Sequence, residues 1–448
     1  MFKRKEEAGA RKIKPAQVII LGFLALITVG TLLLMLPFAT ASGKSAGFAD
    51  ALFTATSASC VTGLVVQDTA TYWSGFGQAV ILFLIQIGGL GVVTMAIAVT
   101  IVTGKRIGLA QRNLMQESIS ASQIGGIVKL TRFILLTAAA IELIGALLLM
   151  PVMISDFGVG MGIWKSFFHS ISAFCNAGFD LMGGTSGHYS SITKYYANPL
   201  VVITVCLLIL VGGIGFHTWA DIREKGIRFS RYRMQSKTIF LMTGILVLFP
   251  ALWFFFFEFD KCPMGDRFLL SFFQAVTPRT AGFNTADLTK LSDSGILMMI
   301  VLMLIGGGPA GTAGGMKITT VAVLFVSSFS VFTRKKEAVL FRRKIPEDAI
   351  KNAIAILLLY ITLFTGGAFV ISAVEHIPML TCLFETASAV GTVGLTLGIT
   401  PGLSMVSRAI LVVLMYVGRV GGLTLIFAAM SEKRDTNSRH PEEKITVG

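Results

Sequence analysis

Apolar residues in this chain gather into eight stretches, near 16–37, 77–103, 128–154, 199–221, 238–258, 294–330, 350–375 and 406–430. Each is long enough, as a helix, to cross the roughly 30 Å of hydrocarbon in a bilayer. The pattern predicts eight transmembrane helices. Alternation at strand spacing is missing, which argues against a membrane barrel. The stretch 294–330 is too long for one simple span, and the Gly-rich run Gly306-Gly-Gly-Pro-Ala-Gly-Thr-Ala-Gly-Gly315 interrupts it.

A second pattern lies within each pair of apolar stretches. Four segments place a Phe ten residues before a Gly: Phe53 to Gly63, Phe168 to Gly178, Phe272 to Gly282 and Phe384 to Gly394. The glycines are 115, 104 and 112 residues apart, so one unit of about 110 residues occurs four times. The units fall at 16–103, 104–221 (with a cytoplasmic loop ahead of its first helix), 222–330 (with a broken last helix) and 331–430, between tails at 1–15 and 431–448. A further Gly-rich core follows each of these glycines: Gly88-Gly89-Leu-Gly91, Gly212-Gly213-Ile-Gly215, Gly306-Gly-Gly308 and Gly418-Arg-Val-Gly421-Gly422. Glycine there permits close helix approach or a break in a span, and only the third unit is expected to break. The fold class that results is an all-α membrane protein of four helix–pore loop–helix units, arranged pseudo-four-fold around one ion pore.

Composition agrees with a multi-span protein: 54% of the 448 residues are hydrophobic and 14% charged, against about 25% charged in soluble domains. The net charge of +14 is placed as in cytoplasmic loops rather than as a nucleic-acid surface. Of the 38 Lys and Arg, 28 lie in the two tails and the three between-unit loops with their flanks, which puts both termini inside. The basic start leads into a span too long for a signal peptide and is read as a retained first helix. The five Cys lack metal-ligand spacing and are read as free thiols. No Walker motif, dinucleotide fingerprint or catalytic triad occurs, so the chain is read as a non-enzyme without a cofactor of its own, and nucleotide sensing would need another chain.

The chemistry of the repeated segment is that of cation dehydration. A ring of backbone carbonyls replaces the water shell of a permeating ion, and Gly lets the chain turn carbonyls inward. The preceding half-helix aims its partly negative end at the cation. Hydroxyls at Thr54, Ser57, Ser59, Ser170, Ser172, Thr277, Thr280, Thr386 and Ser388 suit the bonding of broken backbone ends. The candidate filter residues are Cys60, Val61, Thr62 and Gly63; Cys175, Asn176, Ala177 and Gly178; Thr280, Ala281 and Gly282; and Thr392, Val393 and Gly394. A potassium ion as substrate would meet Gly63, Gly178, Gly282 and Gly394. These segments are degenerate relatives of the Thr-Val-Gly-Tyr-Gly filter of potassium channels. Any one glycine alone reads equally well as a turn; four in register do not.

On these four segments, with Gln86-Ile-Gly-Gly-Leu-Gly91, Gly104-Lys-Arg-Ile-Gly-Leu109, Phe272–Asn284 and Val417-Gly-Arg-Val-Gly-Gly-Leu-Thr424, the whole chain resembles the Trk/Ktr/HKT superfamily of cation transporters, and most closely the membrane subunits of bacterial Ktr potassium-uptake systems. The resemblance implies potassium uptake through a channel-like pore in the cell membrane, with a sodium-dependent or proton-coupled potassium/sodium carrier as the alternative.

 The resemblance also implies a homodimer on a KtrA-like cytosolic ring of nucleotide-binding regulatory subunits. Gly at all four filter positions goes with potassium; in plant relatives a Ser at the first goes with sodium.

The Gly-rich break lies just inside the filter, where irregular backbone is tolerated only if it lines a cavity or is buried. The resemblance makes it an intramembrane gate, formed by Gly306, Gly307, Gly308, Gly311, Gly314 and Gly315 with Lys317 and Arg419. Arg419 reads equally as a residue capping carbonyls, and the two roles are compatible. Asp68 and Asp180, just past their filters, are candidates for drawing cations to the outer mouth, or are solvated loop residues. Glu142 and Glu258 are read as structural, His217 as packing, and Arg279 as bonding pore-loop carbonyls. The basic loops 223–237 and 334–344 suit acidic headgroups or a cytosolic partner. A subunit of a potassium-pumping ATPase and a membrane enzyme are the remaining alternatives.

Overall fold

A computed structural model describes residues 14–103, 114, 116, 127–185, 187–226, 228–422 and 424. Residues 1–13 of the expected N-terminal tail, the whole C-terminal tail, the loop motif 104–109 and the end of the last apolar stretch lie outside the described residues. Almost all regular structure is helical; among the described residues the strands are one two-residue pair, Val339–Leu340 with Arg343–Lys344.

The helices recur in threes. An outer helix, a short pore helix and an inner helix run Pro15–Leu34, Phe48–Ser59 and Gly75–Leu90; then Ile127–Phe157, Val159–Phe174 and Pro199–Gly213; then Met234–Trp253, Met264–Val276 and Asp293–Leu304; then Glu347–Glu375, Met379–Gly391 and Met405–Val420. The outer helices are the long ones: Pro15–Leu34, Val128–Phe157, Met234–Glu258 and Glu347–Glu375 are each long and apolar enough to cross a bilayer. They carry exposed Leu, Ile and Phe, such as Leu32, Leu136, Leu248 and Phe369. An apolar exterior of this kind fits a lipid solvent rather than water.

The inner helices depart from the expected continuous spans. The stretch 77–103 is two helices, Gly75–Leu90 and Val92–Thr100, bent by 98°, and 199–221 is likewise bent by 93° between Pro199–Gly213 and Phe216–Lys225. Gly91 at φ 90° and Gly215 at φ 88° make the bends, and Gly421 at φ 91° ends the fourth inner helix in the same way. The break expected only of the third unit therefore occurs in the first and second as well. In the third it is widest, with irregular backbone from Ile305 to Lys317 before the helix Ile318–Phe332.

The core follows the pore helices. Phe53, Phe168 and Phe384 are fully buried. The third pore helix is shifted by one: Phe273 takes the buried position, and Phe272 stacks on Phe268 with ring centroids 6.3 Å apart.

The inner-helix glycines explain how the helices meet. A Cβ on Gly88 would collide with the carbonyl oxygen of Ser59, one on Gly212 with that of Phe174, and one on Gly418 with that of Val390. Each of those carbonyls lies four residues before its unit's repeated glycine. Any side chain would hold the inner helix off the end of the pore helix. Gly418→Val is expected to destabilise the fold by about 1–3 kcal/mol through overpacking, read as a lowered thermal unfolding midpoint of the detergent-solubilised protein.

Candidate functional site

The four repeated glycines meet. A Cβ added to Gly63 would strike the Ala177 carbonyl oxygen, on Gly178 that of Ala281, on Gly282 that of Val393, and on Gly394 that of Thr62. The contacts run from each unit to the next and return from the fourth to the first, so the loops form a closed ring. All four glycines have left-handed backbone, at φ 89°, 67°, 80° and 94°, where an L side chain is strained. Two independent constraints, hand and space, thus select Gly at each position.

The local folding that delivers these glycines is a helix-ending motif. Val61, Asn176 and Thr392, two residues before their glycines, are also left-handed, at φ 58°, 57° and 52°. Thr62 N–H then donates to Ser57 O at 2.8 Å, Ala177 N–H to Ser172 O at 2.8 Å and Val393 N–H to Ser388 O at 2.8 Å. This six-to-one bond across a left-handed residue is the Schellman ending, which satisfies the helix's last carbonyls. In the third unit Thr280 is left-handed at φ 68°, but Ala281 N–H reaches only to Thr277 O, at 3.0 Å. That turn is one residue shorter, which accounts for the shifted Phe273.

Hydroxyls from the last turn of each pore helix brace the loops. Ser57 Oγ accepts from Gly63 N–H and Ser388 Oγ from Gly394 N–H, each at 3.0 Å. Ser172 Oγ donates to Phe179 O at 2.7 Å, and Thr277 Oγ1 donates to Phe283 O at 2.6 Å. The first-unit and fourth-unit hydroxyls therefore hold the glycine itself, and the other two hold the residue after it.

Beneath the ring lies a cavity of about 260 Å³, lined by Gly89, Gly311, Gly315, Lys317, Arg419 and Thr424 among others. The Gly306–Gly315 segment forms part of its wall and is clasped by the second unit's helix break. Gly308 N–H donates to Gly213 O at 2.7 Å, Phe216 N–H to Ala310 O at 2.8 Å and Thr312 N–H to Gly212 O at 3.3 Å. Gly306 N–H donates to Met316 O at 2.8 Å, closing the base of the loop. On the opposite side Gly314 packs on the Thr392 side chain, next to the ring.

Arg419 spans the cavity to hold the loop. Its guanidinium donates to Thr312 O in the loop and to Gly88 O and Gly89 O, the last at 2.9 Å, at the end of the first inner helix. Lys317 Nζ turns back to Ala313 O at 2.7 Å. Both cations are thereby held by backbone carbonyls, which offsets their removal from water.

Among the other candidates, Asp68 and Arg279 are placed differently from expectation, and Glu258 has the structural role expected of it. Asp68 is buried, and its carboxylate accepts from Ala70 N–H and Thr71 N–H at 3.0 Å and from Tyr189 N–H at 2.8 Å. It staples the outer loops of two units rather than presenting a free charge. Asp180 accepts from Met182 N–H at 2.9 Å. Arg279 does not bond pore-loop carbonyls: its NH2 donates to Thr243 Oγ1 at 3.3 Å, on the third outer helix. Glu258 accepts from Ser292 at the start of the third inner helix. Sequence reasoning missed the pair Asp50 and Arg408, an ion pair of 3.0 Å that joins the first and fourth units; charges 358 residues apart leave no local signal.

The family model described as "TrkH: Cation transport protein" matches residues 2–439. The chain is 39% identical over 443 residues to the Ktr system potassium uptake protein B of Bacillus subtilis, covering 98% of this chain and 97% of that protein. It is 38% identical to the potassium/sodium uptake protein NtpJ of Enterococcus hirae, covering 98% of each. Its fold is similar to the crystal structure of the potassium transporter TrkH from Vibrio parahaemolyticus, with a TM-score of 0.73 at 18% identity, covering 95% of this chain and 87% of that one.

The Arg419 clamp has a measurable consequence. Arg419→Ala removes the donors to Thr312, Gly88 and Gly89, and amide hydrogen exchange across residues 311–315 is expected to rise about tenfold. Exchange unchanged from wild type would mean that the loop is held without Arg419.

Proposed function

This chain belongs to the TrkH family of cation transport proteins, and from that premise we propose that it is a potassium-uptake pore subunit of the cell membrane. The observation that carries the reading is the closed ring of four left-handed glycines. Residues of opposite hand alternate through Val61-Thr62-Gly63 and its counterparts, a backbone able to turn successive carbonyls to one side, as cation coordination requires. The filter comprises those loops, and the four units surround one pore with eight spans, the inner ones bent. Both termini are cytoplasmic, by the distribution of Lys and Arg. Relatives named as potassium uptake proteins support potassium as the ion.

The Gly306–Gly315 loop, held over the cavity by Arg419 with Lys317 beside it, is the gate. Bonds to two different units let a shift in either one move the loop. The stimulus comes from a cytosolic nucleotide-binding ring docked on the basic loops, and the pore subunit is a homodimer; both rest on resemblance to Ktr systems. A second reading, a sodium-dependent or proton-coupled potassium/sodium carrier, is favoured by the relative named a potassium/sodium uptake protein.

In proteoliposomes the wild type is expected to pass potassium in preference to sodium, and Gly63→Ser to lose that preference, because its side chain enters the space of the Ala177 carbonyl. Equal potassium and sodium flux in the wild type would overturn the selectivity. Deleting residues 307–313 is expected to raise flux, and unchanged flux would remove the loop's role as a gate. Flux that shifts with an imposed sodium or proton gradient would establish the second reading.

A further inference from the structure

Glu142 is a carboxylate in the middle of an apolar outer helix, and it is buried, with 7% exposure. Ionisable groups at such depth are expensive and mark function or a specific partner. Its partner is Gln86 on the first inner helix, whose Nε2 donates to both carboxylate oxygens, at 2.9 and 3.1 Å. A carboxylate only accepts, so the amide must turn its NH2 toward Glu142 and its oxygen the other way. That oxygen faces the Cys175 thiol, with Sγ to Oε1 at 3.5 Å.

Cys175 ends the second pore helix and begins the second loop of the ring. Its thiol has little room to turn elsewhere, since a Cβ on Gly89 would lie 2.7 Å from the sulfur. The same outer helix also grips this pore helix by its backbone: Ser170 Oγ donates to Glu142 O at 2.6 Å. Gln86 lies within one helical turn of Gly88 and Gly89, whose carbonyls receive Arg419. One turn of the first inner helix therefore meets the second loop on one side and the Arg419 clamp on the other.

We propose that Glu142 is a positioning residue for the second filter loop, acting through the fixed amide of Gln86 on Cys175. The proposal rests on reading the four loops as a selectivity filter. It assigns Glu142 no contact with the ion and no part in a proton pathway.

The test exchanges the two polar partners and reads the ratio of potassium to sodium flux in proteoliposomes, per folded protein. Gln86→Glu alone sets two carboxylates against each other and is expected to lower the ratio about tenfold. The double exchange Glu142→Gln with Gln86→Glu is expected to restore it to within about twofold: the new amide at 142 donates to the new carboxylate at 86, which still accepts the thiol. A wild-type ratio in Gln86→Glu, or no recovery in the double exchange, overturns the proposal. If Gln86→Glu yields no folded protein, Glu142→Gln carries the test, because two amides no longer dictate which way Gln86 faces; a wild-type ratio there overturns it. Gly178→Ser separates the two levels of inference. If it too keeps the wild-type ratio, the filter reading has failed; if it alone loses selectivity, only the role of Glu142 has.

Discussion

The structure depends on one steric arrangement: at four places the space that a side chain would fill is occupied by a carbonyl of the next unit. Because each glycine is also left-handed, neither a larger residue nor an ordinary backbone can replace it. Four pore helices must then end at one place. Their positions set the inner helices, which lie against the pore-helix ends through Gly88, Gly212 and Gly418. The outer helices cover what remains and face the lipid. Selection acts on backbone approach, with side chains largely supplying the hydroxyl braces.

The inner-helix glycines do two things at once. Gly88, Gly212 and Gly418 allow packing on the pore helices, and Gly91 and Gly215 then turn the chain. A turn frees backbone groups at membrane depth, and these need partners. The second unit's freed groups pair with the Gly306–Gly315 loop, and the first unit's Gly88 and Gly89 carbonyls pair with Arg419. The loop and Arg419 therefore complete the hydrogen bonding of neighbouring breaks, which explains why irregular backbone and a buried cation persist in so apolar a setting.

Much of this was legible in the sequence because the constraint is repeated. A single glycine has many explanations, but four at near-constant spacing, each after a Phe and small residues, leave few. The outer helices were legible from apolar length. The bends were not: hydropathy runs unbroken across Gly91, falls after Gly215 only as a cytoplasmic end would, and in neither case registers direction. The third unit's one-residue shift was hidden because Phe272 and Phe273 are adjacent, and either satisfies the pattern. Asp68 and Arg279 were misplaced for a common reason: sequence position puts a charge near the ring, but only the surrounding backbone shows what it faces.

The ion pair between Asp50 and Arg408 bears on how the molecule is made. It joins the beginning of the chain to its end, and Tyr416 OH, which donates to Ile20 O at 2.8 Å, joins the same two units. A chain still emerging from the ribosome can assemble three units, but it lacks the partners that shut the circle until the last helix is in place. An incomplete product thus leaves the ring of loops open on one side, and order of synthesis makes the contact between Gly394 and the Thr62 carbonyl the last of the four to form.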